Sequence, residues 1–194
     1  MSNFFALLSR MKYIDRWALM RSTRQETLSE HTMEVAMLSH ALATLGNCYL
    51  GKKHDAAACV LIALYHDASE IITGDMPTPV KYNNPGLSRA YKALEKETEE
   101  KLLGMLPAEM RPSFAPLISP ENEEARAIVK AADKLSAYIK CIEEEKSGNR
   151  EFSAAKESIR AALENLGVEE VQLFFDHFLE GYGKTLDALT GEGF

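Results

Sequence analysis

The sequence predicts an all-α fold, a globular multi-helix bundle. Three observations carry that expectation. Apolar residues recur at three- and four-residue spacing along most of the chain, no useful length alternates with period two, and the breaks between periodic segments hold capping and helix-stopping residues. The 194 residues suit a single domain, and a hydrophobic content of 46% is enough for a core.

Residues 3–14 read as a short amphipathic start and 15–29 as a polar, irregular stretch. Thr27-Leu28-Ser29-Glu30 fits a capping box, in which hydroxyl and carboxylate serve orphan amides. A helix is expected over about 30–46, with Val35, Leu38, Leu42 and Leu45 as its apolar stripe and Gly46-Asn47 as its end. Another is expected over about 54–72. Gly74 to Val80 is expected to be non-helical, because its two prolines push the residues before them to extended backbone. A charged helix fits 86–105. Beyond Pro107 to Pro120, a long helix fits 121–146, stopped by Ser147-Gly148-Asn149, and further helices fit 152–165 and 168–189. These last helices are expected on the same core, so 1–194 reads as one domain, with Phe174, Phe175, Phe178 and Leu179 as core rather than interface.

A net charge of -7 without a dense basic cluster argues against a nucleic acid polymer as partner. No apolar run reaches the roughly 20 residues of a membrane span, and the first ten residues lack the pattern of a secretory signal. Cys48, Cys59 and Cys141 are scattered, with no Cys-x-x-Cys pair, which suits reduced thiols in a cytoplasm.

The most telling feature is His66-Asp67 at the polar end of the apolar run Ala57 to Tyr65. A carboxylate taken out of water needs a partner or a metal. His31 and Asp133 also sit on helical, partly apolar backgrounds. Singly, each has an ordinary reading: His31 as a surface or capping histidine, His66 as a core histidine beside an exposed Asp67, Asp133 as the ion-pair partner of Lys130 or Lys134. Together, two imidazoles and two carboxylates form a thiolate-free ligand set suited to Mn, Co, Fe, Ni or Zn, leaving positions for water and a substrate oxygen. Such an ion lowers the pKa of bound water and polarises a phosphoryl group.

The order His31, His66-Asp67, Asp133 on successive helices resembles the HD-domain metal-dependent phosphohydrolases. Arg16-Trp17, Ser29-Glu30-His31, Tyr65 to Glu70, Thr73 to Tyr82 and Lys130 to Asp133 narrow the resemblance to the bacterial 5'-deoxynucleotidases of the YfbR type. That resemblance implies hydrolysis of deoxyribonucleoside 5'-monophosphates to deoxynucleosides and phosphate, with one divalent metal (cobalt, manganese or copper) and its bound water, by a homodimer. It implies His31, His66, Asp67 and Asp133 as metal ligands and Glu70, Arg16 and Asp75 as catalytic residues. It also implies substrate contacts from Arg16, Trp17, His31, Asp67, Asp75, Met76, Pro77 and Thr78.

The chemistry of those residues agrees. Glu70 lies three residues after Asp67 and four after His66, on the same helix face, where it can act on water as base or orienter. Arg16 is a forked phosphate donor, Trp17 a wall for the phosphate and sugar pocket, and Asp75 a contact to the sugar or to the leaving 5'-oxygen, to which it could donate a proton. Their ordinary readings are a surface Glu, a solvated Arg, a core Trp and a turn-capping Asp. Rival functions are a general 5'-nucleotidase, a nucleoside triphosphohydrolase, a two-metal oxygenase or cyclic-nucleotide phosphodiesterase, and a non-catalytic nucleotide-binding module. The two-metal enzymes need a histidine just after the HD pair, where this chain has Glu70, and His40, His54 and His177 lack matching context.

Overall fold

A computed structural model describes residues 1–81 and 84–191, with the backbone alone at Thr78 and Pro79. Among them no strand occurs, and the only β-type pairing is an isolated antiparallel bridge between Asp15 and Thr27. The helices are α1 (Phe4–Leu8), α2 (Leu28–Tyr49), α3 (Ala56–Tyr65), α4 (Glu70–Thr73), α5 (Thr78–Lys81), α6 (Pro85–Met105), α7 (Arg111–Ile118), α8 (Glu123–Lys146), α9 (Ser153–Leu166), α10 (Glu169–Phe178) and α11 (Leu186–Thr190).

Helices α2, α3 and α8 pack on one another and form the centre. Val35 and Leu42 of α2, Ile62 and Ala63 of α3, and Leu135 and Ile139 of α8 are buried in one cluster. Each of the Val, Leu and Ile side chains contributes about 1.5–3 kcal/mol by leaving water. Leu163 of α9 and Val171 and Phe174 of α10 lie in the same cluster. Phe175 and Leu179 pack against it, whereas Phe178 is 50% exposed and falls outside the expected core. A second cluster joins Phe4 of α1, Leu102 of α6 and Ile118 of α7.

Several expected boundaries shift, each for a local reason. The start splits into α1 and a 3-10 turn over Ser9–Tyr13. Gly46 does not end α2, which continues to Tyr49. A Cβ there would sit 2.6 Å from Glu170 Oε1 and 2.7 Å from the His54 ring, so the glycine admits a close approach. The expected 54–72 helix breaks after Tyr65. Ala68 N bonds Tyr65 O and Glu70 N bonds Asp67 O, both at 3.0 Å, which tightens the chain to three residues per turn. Thr78–Lys81 forms a helical turn inside the loop expected to be non-helical. Pro79 is its second residue, where a missing N–H costs nothing. Tyr82 lies outside the described residues.

Pro107 to Pro120 contains α7, with Pro112 in its first turn. The 168–189 segment divides into α10, a 3-10 turn and α11. The stretch Ala56–Thr73, with a mean hydropathy of 1.3, meets the length and composition of a membrane span. Its helix is interrupted at His66, and Cys59, Ile62 and Ala63 are buried in the core.

Candidate metal centre

The capping box forms as expected: Thr27 Oγ1 accepts from Glu30 N at 3.3 Å, and Glu30 Oε2 accepts from Thr27 N at 2.8 Å. It starts α2 so that His31, in the first turn, points inward with its side chain fully buried. His31 Nδ1 lies 3.1 Å from Ser136 Oγ on α8. The Ser136 hydroxyl gives its proton to Glu34 Oε2 at 2.5 Å, so its oxygen accepts from His31 Nδ1–H. That tautomer leaves the Nε2 lone pair of His31 free.

His66, at the end of α3, is fixed the same way by a different partner. Its Nδ1 donates to Ala63 O at 2.7 Å. Both Nε2 atoms are buried without a hydrogen-bond partner. They face carboxylates instead. His31 Nε2 is 3.1 Å from Asp133 Oδ1 and 3.5 Å from Asp67 Oδ2, and His66 Nε2 is 3.0 Å from Asp67 Oδ2. One ligand atom from each of His31, His66 and Asp133 lies within 4.8 Å of the others.

This donor set fits a divalent cation. Atoms about 2.1 Å from a shared ion stand roughly 3–3.4 Å apart, close to the spacings observed. Both imidazoles have their remaining N–H engaged, as ligating histidines require. Among the described residues Asp133 pairs with neither Lys130 nor Lys134. Burial would raise its pKa, yet His31, His66 and Arg16 hold it below the usual carboxylate range. Burial would likewise lower His66, but Asp67 and Asp133 raise it to about 9. The cluster therefore draws in positive charge.

Arg16 and Trp17 lie on a strap, residues 14–28, closed by the Asp15–Thr27 bridge. Arg16 Nε bonds Glu26 Oε1 at 2.8 Å, and its Nη1 is 3.9 Å from Asp67 Oδ2. Trp17 has a φ of 61°, rare for a bulky side chain. Its ring packs 5.2 Å from that of Phe152, and its buried Nε1–H meets no acceptor.

Glu70 opens α4 rather than continuing α3. The three-residue turn before it still places it over Asp67. Its side chain is buried and its Oε2 has no partner. Burial first, then Asp67 and Asp75, raise its pKa to about 9 against Arg16 and Lys81. Asp75 is raised too, by burial and Asp67, with Arg16 opposing. Gly74 (φ 71°, ψ 165°) turns the chain into this loop through a conformation that glycine alone adopts readily.

Arg16, Trp17, Asp75, Met76, Pro77 and Asp133 line one cleft of about 770 Å³. The Thr78 side chain, also expected at the substrate, lies outside what the structure describes. The opposite wall, unexpected from sequence, is α9 with Glu151 before it: Ala155, Ser158 and Ile159 face the cleft, beside Lys134 of α8. An Ala-rich amphipathic helix carries no signal that separates a cleft wall from a core face. His40 is exposed, His177 stacks on Tyr49, and His54 pairs with Glu170, so among the described residues no further histidine joins the centre.

A sequence profile described as 5'-deoxynucleotidase YfbR-like matches residues 3–182. The chain belongs to the YfbR-like 5'-deoxynucleotidase family. It is 47% identical over 192 residues to the 5'-deoxynucleotidase YfbR of Photorhabdus temperata, covering 98% of each chain. It is 48% identical to that of Salmonella paratyphi B, covering 97% of this chain and 96% of the other. In fold it resembles an HD-domain phosphohydrolase from Listeria innocua, with a TM-score of 0.79, 22% identity and coverage of 93% and 88%. It also resembles the cyanophage S-2L HD phosphohydrolase DatZ, solved with dA and one catalytic Zn2+, with a TM-score of 0.62, 22% identity and coverage of 91% and 96%. The expected all-α HD-domain fold and the YfbR-type resemblance are both borne out.

Proposed function

We propose that this YfbR-like chain is a 5'-deoxynucleotidase, a metal-dependent phosphomonoesterase that hydrolyses deoxyribonucleoside 5'-monophosphates to deoxynucleoside and phosphate. The observation that carries this is the pair of buried, unpartnered Nε2 atoms facing Asp67 and Asp133 beside an Arg-lined cleft. The names of the close relatives point to the same activity.

His31, His66, Asp67 and Asp133 would hold one divalent cation, which supplies charge neutralisation at the phosphate and a lowered pKa for water. The fork of Arg16 receives the phosphate oxygens that Glu26 leaves it free to meet. The Trp17 ring and its free N–H border the sugar and phosphate. Glu70 holds a proton while Asp67 is unneutralised, and positive charge beside Asp67 returns it to a base that accepts the proton of attacking water, whereas burial keeps the proton on Asp75. As the new oxygen–phosphorus bond forms, the phosphorus–O5' bond breaks and O5' takes a proton from Asp75. Met76, Pro77 and the backbone at Thr78 close over the sugar, where a 2'-hydroxyl would face apolar surface and lose its hydrogen bonds.

We extend this to a homodimeric, cytoplasmic enzyme, one domain throughout, that uses cobalt, manganese or copper and engages neither membrane nor nucleic acid polymer. Exposed Met33 and Met37 on α2 and Leu61 and Leu64 on α3 offer apolar surface for a second copy. Light scattering that gives a monomer mass would refute the dimer.

The deciding experiment assays deoxy- and ribonucleoside 5'-monophosphates with Co, Mn, Mg, Zn and Cu. Phosphate release from dAMP that EDTA stops, and slower release from AMP, is expected. Equal release from both would mean a general nucleotidase, and none a binding module.

A further inference from the structure

The strap that carries Arg16 and Trp17 has no regular secondary structure of its own. Its base is closed by Arg16 N donating to Glu26 O at 2.9 Å and Leu28 N to Ile14 O at 2.8 Å. Its far end rests on α8, on a charge pair the mechanism does not use. The Glu144 side chain is 1% exposed and Lys140 is 6% exposed, with Lys140 Nζ donating to Glu144 Oε1 at 2.6 Å.

An isolated buried pair does little for stability, because desolvating both charges offsets their attraction. Here the rest of the hydrogen-bonding capacity goes to the strap. Glu144 Oε2 accepts from Thr23 N and Thr23 Oγ1, both at 2.8 Å, and Glu144 Oε1 from Arg24 N at 3.4 Å. Lys140 Nζ donates to Arg24 O at 2.6 Å. Asn149 Nδ2 spans from Glu144 Oε2 at 2.8 Å to Arg21 O at 2.7 Å. A second link runs through aromatic faces: Lys140 Nζ lies 6.0 Å over the Phe152 ring, which packs on Trp17. A residue with positive φ persists only where its surroundings over-determine it, and Trp17 is such a residue.

We propose that the buried Lys140–Glu144 pair is a positioning device, which sets Arg16 and Trp17 in the cleft by fixing the far end of the strap. Neither residue lines the cleft, so both act through the strap. The inference rests on the proposed substrate role of Arg16 and Trp17.

Trp17 is the only tryptophan, so its fluorescence reads the strap directly. The test compares full-length, metal-loaded Glu144→Gln, Glu144→Ala and Thr23→Ala with the parent protein. Glu144→Gln keeps an acceptor for Thr23 but leaves Lys140 unbalanced, and Thr23→Ala leaves the charge pair intact, so folded protein is expected even if Glu144→Ala fails to fold.

Far-UV dichroism and metal content should be unchanged. Trp17 emission should shift and become more open to acrylamide quenching. KM for dAMP should rise, and kcat/KM should fall by roughly 10- to 100-fold, least for Thr23→Ala. Native Trp17 fluorescence in folded Glu144→Gln, or an altered fluorescence with unchanged KM, overturns the proposal. Arg16→Ala separates the two levels. If it leaves KM unchanged, the substrate role of the strap is wrong. If it raises KM while Glu144→Gln changes nothing, only the positioning device is wrong.

Discussion

Ser136 gives its hydroxyl proton to Glu34 at 2.5 Å, and this contact decides which nitrogen of His31 is available. With its proton committed, the hydroxyl accepts from His31 Nδ1–H, and the Nε2 lone pair is delivered to the centre. Outer partners of ligating histidines typically matter by 10- to 100-fold in metal affinity. Ser136→Ala is expected to weaken metal binding by about that factor, measured by competition with a chelator. Unchanged affinity in the folded variant would refute the tautomer assignment.

Removing the cation should loosen the fold as well as stop turnover. A ligand present at about 100 times its Kd stabilises the native state by about 2.7 kcal/mol. The melting temperature is expected to rise with added Co or Mn and to fall back with EDTA. Asp133→Ala should abolish that rise. A rise of the same size in Asp133→Ala would place the metal elsewhere.

Glu70 is buried beside Asp67 with a free carboxylate oxygen, so its proposed work is proton transfer rather than metal binding. Glu70→Gln is expected to keep the metal and to lower kcat by about 10²- to 10⁴-fold. Full turnover at normal metal content would remove Glu70 from the mechanism.

The strap anchor should show in the acid limb of stability. Burial would raise the Glu144 pKa, but Lys140, Thr23 and Asn149 hold it down to about 2, below its ordinary 4.5. A group depressed on folding contributes stability above its unfolded pKa and loses it as pH falls through the folded one. Stability should therefore decline from about pH 5 towards pH 2. Denaturant melts of Glu144→Gln should show a flatter decline over that window, and an identical slope would contradict the assignment.

Gly46 offers a test away from the metal. Its missing Cβ is the space that His54 and Glu170 occupy, and Lys52 pins Glu170 at 2.9 Å. Gly46→Ala should cost about 1–3 kcal/mol and lower the melting temperature by about 2–4 °C per kcal/mol, with kcat unchanged below the transition. A melting temperature equal to the parent's would mean that the neighbours yield freely.

What the sequence made legible was local, or fixed by chemical type. The Thr27–Glu30 capping box spans three residues and could be read directly. His31, His66, Asp67 and Asp133 stood out as polar groups on apolar backgrounds, and the structure brings them together. Long-range causes stayed hidden. Gly46 read as a helix stop because nothing nearby announces His54 and Glu170. The apolar period ran through residue 66, so the tight turn beneath Asp67 left no trace. Lys140 and Glu144 had the spacing of an ordinary surface ion pair, and nothing before the fold placed the 14–28 strap on top of them.

Asp133, Ser136, Lys140 and Glu144 follow one another on α8 at intervals of three, four and four residues. Eleven residues make about three turns and about 16 Å, so the four share one face and the first and last stand nearly in line. The helix is thus a ruler, graduated with an ion ligand at one end and the strap's anchor at the other. One residue inserted between Ser136 and Lys140 would swing the anchor by about 100° and leave the ligand in place. Residues of α8 between these marks can change one at a time, but the length of helix that separates them cannot.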